Sequence, residues 1–164
     1  RVIRYMDWYE ELHVQILFLA VGNGEQKDYL MNLAKSLKVF EAIKFIGWVS
    51  SEELPFYLNS ADVYISTSLI DSGLAASTAE AMACELPVVI SDSGDNKILI
   101  KDGENGFLFS VRDSRTLAEK VISLLKNENL RKKMAATNRK FIEEENNYYK
   151  EMEKMENIYL SLIK

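Results

Sequence analysis

Short apolar runs of strand length, separated by stretches of helical periodicity, constrain this chain more than any other feature. Such runs fall at residues 16–21, 43–46, 62–66, 88–90 and 107–109. Runs this short, buried on both faces, belong to the strands of a parallel sheet, because an antiparallel strand with one wet face alternates apolar with polar residues instead. Between them, apolar residues recur at helical spacing: Tyr29, Leu30, Leu33, Ala34 and Leu37, then Leu117, Val121, Leu124 and Leu125. A further periodic segment precedes the first strand, with Val2, Ile3, Met6, Tyr9 and Leu12 on one face.

This alternation predicts one α/β domain over residues 1–164, a Rossmann-like three-layer α/β/α arrangement with a parallel sheet. Punctuation agrees with it. Gly22-Asn23-Gly24 ends the first run, Ser50 and Glu53 have the spacing of a capping box ahead of a helix with Pro55 in its first turn, and Pro87 opens the run Val88-Val89-Ile90. In the last helix, about 146–163, Tyr148, Met152, Met155, Tyr159 and Leu162 form an apolar seam flanked by charges. Doubly wound folds bind ligands beyond the carboxyl ends of their strands. The loops after Val21, Ile46, Ser66 and Ile90 are therefore where function is sought.

Composition narrows the classes. With 48% hydrophobic and 27% charged residues the chain has enough apolar surface for a packed core, which excludes disorder. A net charge of -5 gives no general attraction to nucleic acid or anionic membrane, so a phosphate-bearing ligand has to be held by local donors. The single cysteine, Cys84, excludes an internal disulfide and a cysteine-based zinc site, and the expected setting is a reducing cytoplasm. No stretch approaches the length of a transmembrane segment. The chain opens at Arg1 without a methionine, and a processed product or a piece of a longer protein is expected.

Two loops are chemically suggestive. Gly22 and Gly24 lie between a strand and a helix, where a phosphate-binding turn is found, but the third glycine of the dinucleotide pattern is replaced by Lys27. A turn that only connects strand to helix is the favoured explanation of these glycines. Residues 66–80 join a strand to a helix through small side chains, including Ser72, Gly73, Leu74 and Ala75. If the helix starts near Ala75, its first amides are unpaired and its dipole is positive toward the crevice, so a diphosphate could bind without a cationic side chain. Glu80, one to two turns in, has a carboxylate able to accept two hydrogen bonds from a vicinal diol.

The segment Glu80-Ala81-Met82-Ala83-Cys84-Glu85-Leu86-Pro87-Val88-Val89 resembles the signature of the retaining GT-B glycosyltransferases of group 1, family 4. Phe45-Ile46-Gly47-Trp48-Val49, Ala61-Asp62-Val63-Tyr64-Ile65-Ser66 and Asp102-Gly103-Glu104-Asn105-Gly106-Phe107-Leu108 look like three further blocks of that family's C-terminal domain, in the same order. The resemblance covers nearly the whole chain. It implies that Glu80 binds the donor ribose, that backbone groups near Val49 pack on the base, and that the donor is a UDP- or GDP-sugar held without a metal or other cofactor. It also implies an N-terminal acceptor-binding domain as partner, on which the last helix docks, and a cytoplasmic or peripheral membrane location.

Two departures qualify it. The family's second glutamate, eight positions before Glu80, is Ser72, which can donate a hydrogen bond to a sugar but cannot stabilise a cationic centre by charge. The family's domain also opens with a strand and loop bearing an arginine and a lysine for the diphosphate, and this chain begins in the helix that follows. That strand is central in a doubly wound sheet, so exposed sheet edges and oligomerisation through them are expected. The expected function is donor binding in a sugar transferase that is inactive as this part alone. The alternative is a non-catalytic binding or regulatory subunit of the same fold. A dehydrogenase module is disfavoured by the missing third glycine and by the lack of a ribose-binding acid after the first turn. His13 is expected at the surface or in a cap, Trp8 and Trp48 are expected to be packing residues, and Lys97 to be solvated.

Overall fold

The computed structural model describes residues 16–71 and 73–163. The periodic segment over residues 1–12, with Trp8, and also His13 and Ser72, lie outside the described residues.

Among the described residues five strands form, where the apolar runs are: β1 (Phe18–Val21), β2 (Ile43–Gly47), β3 (Tyr64–Ser66), β4 (Val88–Ser91) and β5 (Gly106–Phe109). All neighbours are parallel, in two groups ordered β1-β2 and β3-β4-β5. Both β1 and β3 are hydrogen-bonded to a strand on one side only among the described residues.

The helices are α1 (Lys27–Ser36), α2 (Leu54–Asn59), α3 (Ala76–Ala83), α4 (Asn96–Leu99), α5 (Ser114–Lys126), α6 (Glu128–Glu145) and α7 (Tyr148–Leu162). The capping box forms as its spacing predicts. The Ser50 amide donates to Glu53 Oε2 at 3.1 Å and the Glu53 amide donates to Ser50 Oγ at 3.2 Å, one turn before α2 begins. Asp113 and Asn127 accept from the amides of Thr116 and Leu130 at the starts of α5 and α6.

Strand β4 is the centre of the three-stranded group, paired at Val88 with both Tyr64 and Gly106, and its residues are fully buried. Successive strand residues point to opposite faces. Val89 accordingly packs with Phe109, Leu117, Val121, Leu124 and Met134, under α5 and α6, whereas Val88 and Ile90 pack with Ala81, Met82, Leu86 and Ile100, against α3. Three layers result, and each buried Leu, Val or Met side chain stabilises them by about 1.5–3 kcal/mol.

Helix α6 ties the layers together by hydrogen bonds as well. Buried Asn138 donates Nδ2–H to the Leu86 carbonyl at 2.8 Å, and Arg139 reaches the Ala83 carbonyl at 2.6 Å. Arg131 donates to the Leu124 and Leu125 carbonyls, satisfying the last turn of α5.

Three features differ from the periodicity. Tyr29 and Leu30, expected on the inner face of α1, are 64% and 45% exposed, and Ala34 is the buried residue of that helix. The β1-β2 pair beneath is itself only half-buried, so it offers no deep face to fill. The short helix α4 and a 3-10 turn at Phe40–Ala42 carry no periodic signal, being about one turn long. Along α7 the whole Tyr148, Met152, Met155, Tyr159, Leu162 seam is exposed. No helix among the described residues is long and apolar enough to cross a membrane.

Candidate functional site

Gly73, Ala75 and Ala76, with Leu74 among them, bring the loop that follows β3 into α3. Gly73 has φ +69, Ala75 is extended at φ -58 and ψ 135, and the helix then starts at Ala76 with no side-chain cap. The amides of Thr78 and Ala79 both donate to the Ala75 carbonyl. The amides of Ala76 and Ser77 precede these and have no acceptor within the helix, so they are the donors that the dipole presents outward. The Ser77 hydroxyl is held by Tyr64 Oη at 2.9 Å.

Glu80 is exposed, four residues into α3. Its neighbours Ala81 and Met82 are fully buried, which fixes the helix rotation. A rise of about 1.5 Å per residue puts Glu80 about 6 Å along the axis from Ala76. Cys84, on the same side one turn on, is partly buried, and burial pushes its thiol pKa up despite the nearby Arg139 cation, with Glu80 adding to the rise. That environment disfavours the thiolate, the form a nucleophile needs.

The loop after β4 closes on the loop after β3. Buried Asn96 donates Nδ2–H to Asp71 Oδ2 at 3.0 Å and to the Ser91 carbonyl at 2.9 Å, and Ser91 Oγ donates to the Ser68 carbonyl at 2.6 Å. Gly94, at φ +54, comes so close that a Cβ there would lie 1.5 Å from the Asp71 carbonyl oxygen. The Gly73 amide donates to Asp95 Oδ2 at 3.0 Å. Sequence reasoning singled out Lys97 in this loop, which is exposed, and passed over Asp95 and Asn96, whose roles depend on a contact across more than twenty residues.

The other expected site residues gather at the ends of β1 and β2. The Gly22 amide donates to the Gly47 carbonyl at 2.7 Å and the Lys27 amide to the Gly24 carbonyl at 3.1 Å, so both donors are committed to backbone. The Gly22 amide is thereby closed to a phosphate. Val49 is half-buried in the loop after β2, whereas Trp48 beside it, expected to be a packing residue, is 74% exposed because it stands in the loop beyond the strand. Among the described residues no group of three His, Cys, Asp or Glu side chains could hold a metal ion.

Known proteins resemble this chain over most of its length. A family model described as glycosyl transferases group 1 matches residues 1–141. An uncharacterized glycosyltransferase of Methanocaldococcus jannaschii is 31% identical over 160 residues, which is 97% of this chain and 40% of that protein. The phosphatidyl-myo-inositol mannosyltransferase of Mycobacterium leprae is 34% identical over 121 residues, 74% of this chain and 32% of that protein. The chain thus spans well under half the length of these relatives. Among solved structures, Anabaena HepE in complex with UDP superposes with a TM-score of 0.83 at 21% identity over 97% of this chain and 44% of HepE. The C-terminal domain of a group 1 glycosyl transferase from Francisella tularensis superposes with a TM-score of 0.74 at 20% identity, covering 89% of this chain and 77% of that one. These likenesses show a Rossmann-like α/β fold shared with part of those glycosyltransferases.

Proposed function

The chain belongs to the glycosyl transferases group 1 family, and on that premise we propose that it is the C-terminal, donor-binding part of a retaining glycosyltransferase. In this reading the donor is a nucleotide-diphosphate sugar, no metal is bound, and the part alone does not turn over. The observation that carries it is the uncapped start of α3 with exposed Glu80 about one turn further on. Free amides at Ala76 and Ser77 suit a diphosphate. A carboxylate about 6 Å along the axis suits the vicinal diol of the attached ribose. Val49 lies in the loop proposed to pack on the base, and residues 73–75 are proposed to line the sugar end, the position at which the family resemblance also puts Ser72. That HepE was solved with UDP, and that the Francisella domain is a C-terminal one, support the assignment.

Calorimetric titration with UDP, GDP and ADP tests this reading. One nucleotide is expected to saturate, and Glu80→Ala is expected to weaken it by about tenfold or more, the loss of a charged acceptor. Absence of saturable binding to all three, or binding indifferent to Glu80→Ala, overturns it. A second reading, a non-catalytic subunit that works by associating with another chain, draws on the Asp95 carboxylate already seated on the Gly73 amide.

A further inference from the structure

We propose that Asn23 is a site of spontaneous covalent modification: its side-chain amide cyclises onto the Gly24 nitrogen, and water opens the ring to aspartate and isoaspartate. The reaction is independent of the donor site and needs no bound ligand.

The chain holds two Asn-Gly pairs, Asn23-Gly24 and Asn105-Gly106. A glycine after asparagine leaves its backbone nitrogen unshielded, because no Cβ stands beside it. Local sequence thus makes the two pairs equally reactive, and the fold separates them. Asn23 and Gly24 are both exposed and lie outside any helix or strand, and nothing stands within 4 Å of a Cβ added at Gly24. Among the described residues neither the Asn23 side chain nor the Gly24 nitrogen makes a hydrogen bond. The chain on either side is tied, through the Gly22 amide to the Gly47 carbonyl and the Lys27 amide to the Gly24 carbonyl. The reactive link is a free one between two fixed points.

Asn105 is the opposite case. Its Oδ1 accepts the Lys101 amide at 2.8 Å and its Nδ2 donates to the Leu99 carbonyl at 3.3 Å, with the residue 5% exposed. Gly106 opens β5 beside Val88, and a Cβ there would lie 2.7 Å from the Val88 side chain and 2.8 Å from its carbonyl oxygen. Asn105 can reach the Gly106 nitrogen only after this end of the strand has opened, so its reaction waits on a rare state.

At Asn23 the Gly24 nitrogen gives its proton to hydroxide and attacks Cγ. The N–Cγ bond forms, the Cγ–Nδ2 bond breaks, and the leaving nitrogen takes a proton from water and departs as ammonia. Water then adds to one of the two carbonyls of the cyclic imide. Opening at Cγ gives aspartate, and opening at the backbone carbon gives isoaspartate, with the main chain rerouted through Cγ. Either product turns a neutral turn negative. Asn23 Oδ1 and Lys27 Nζ now lie 3.4 and 4.0 Å from the place of a Gly47 Cβ, so the new charge arises beside a lysine that has no ion pair among the described residues.

The test incubates the whole chain at mildly alkaline pH, native and in urea, and maps its peptides by mass spectrometry in dilute acid. In the native protein the Asn23 peptide is expected to gain the mass that turns an amide into an acid, as two isomers, about tenfold or more faster than the Asn105 peptide. In urea the two rates are expected to converge. Gly24→Ala places a methyl group beside the nitrogen and meets nothing in the fold, and is expected to slow the native reaction severalfold, with circular dichroism establishing that it is folded. Equal native rates at the two sites, a faster Asn105, or a native Asn23 rate indifferent to Gly24→Ala overturns the proposal.

Discussion

Replacing Gly94 by alanine separates the two loops that build the site. An added Cβ would lie 1.5 Å from the Asp71 carbonyl oxygen and 2.7 Å from its carbon, where real contacts do not fall below 3.0 Å. The loops must part by about the missing half of that separation. Hydrogen bonds of 3.0 Å from Gly73 to Asp95 and from Asn96 to Asp71 do not survive such a shift. A left-handed conformation at φ +54 costs alanine a further 1 kcal/mol or so, and losing the two hydrogen bonds, one exposed and one part-buried, at about 1 kcal/mol each costs about 2 kcal/mol more. Urea denaturation is expected to show a loss of about 3 kcal/mol. Gly24→Ala, where nothing lies within 4 Å of an added Cβ, is the control and is expected to stay within about 0.5 kcal/mol. A Gly94→Ala protein within about 1 kcal/mol of wild type would refute the packing of these loops and the seating of Asp95 that depends on it.

Asn138→Ala removes the bond to Leu86 from a buried position, and thermal unfolding followed by circular dichroism is expected to register a loss of about 2 kcal/mol, with Asn138→Asp worse because it buries a charge that faces a carbonyl. Asn138 Oδ1 already has no partner among the described residues, so the site has no spare donor to offset that charge. Asp113 has its carboxyl pKa held below the usual aspartate value, first by the Thr116 hydroxyl and then by the Thr116 amide. The folded-state pKa is depressed, so its contribution is present above the unfolded pKa and is lost as pH falls through the folded one. Stability measured against pH is therefore expected to separate wild type from Asp113→Asn at neutral pH and to converge in the acid range; a gap unchanged down to the acid limit contradicts it.

The strands were legible because their signal is local. Val88-Val89-Ile90 after Pro87 could be read as a doubly buried strand, and β4 is one. Ser50 with Glu53 and the helix start near Ala75 were readable for the same reason, since caps and turns act over three or four residues. The site was legible only in part. Glu80 and residues 73–75 lie at the mouth of α3, but the Asp95 carboxylate reaches Gly73 only because β3 and β4 are paired, which no local pattern encodes. The pairing of Gly22 with Gly47 is likewise a product of β1 lying beside β2. The exposed side of α1 reflects how little surface a two-stranded sheet offers, a tertiary fact that a helical period cannot express.

Amide resonances of the 15N-labelled chain, followed while UDP, GDP or ADP is added, test the donor site most directly. Saturable shifts are expected that are largest at Ala76, Ser77 and Glu80, with Gly22 and Gly24 little affected. Shifts centred on Gly22 to Gly24, or none with any of the three nucleotides, would contradict it.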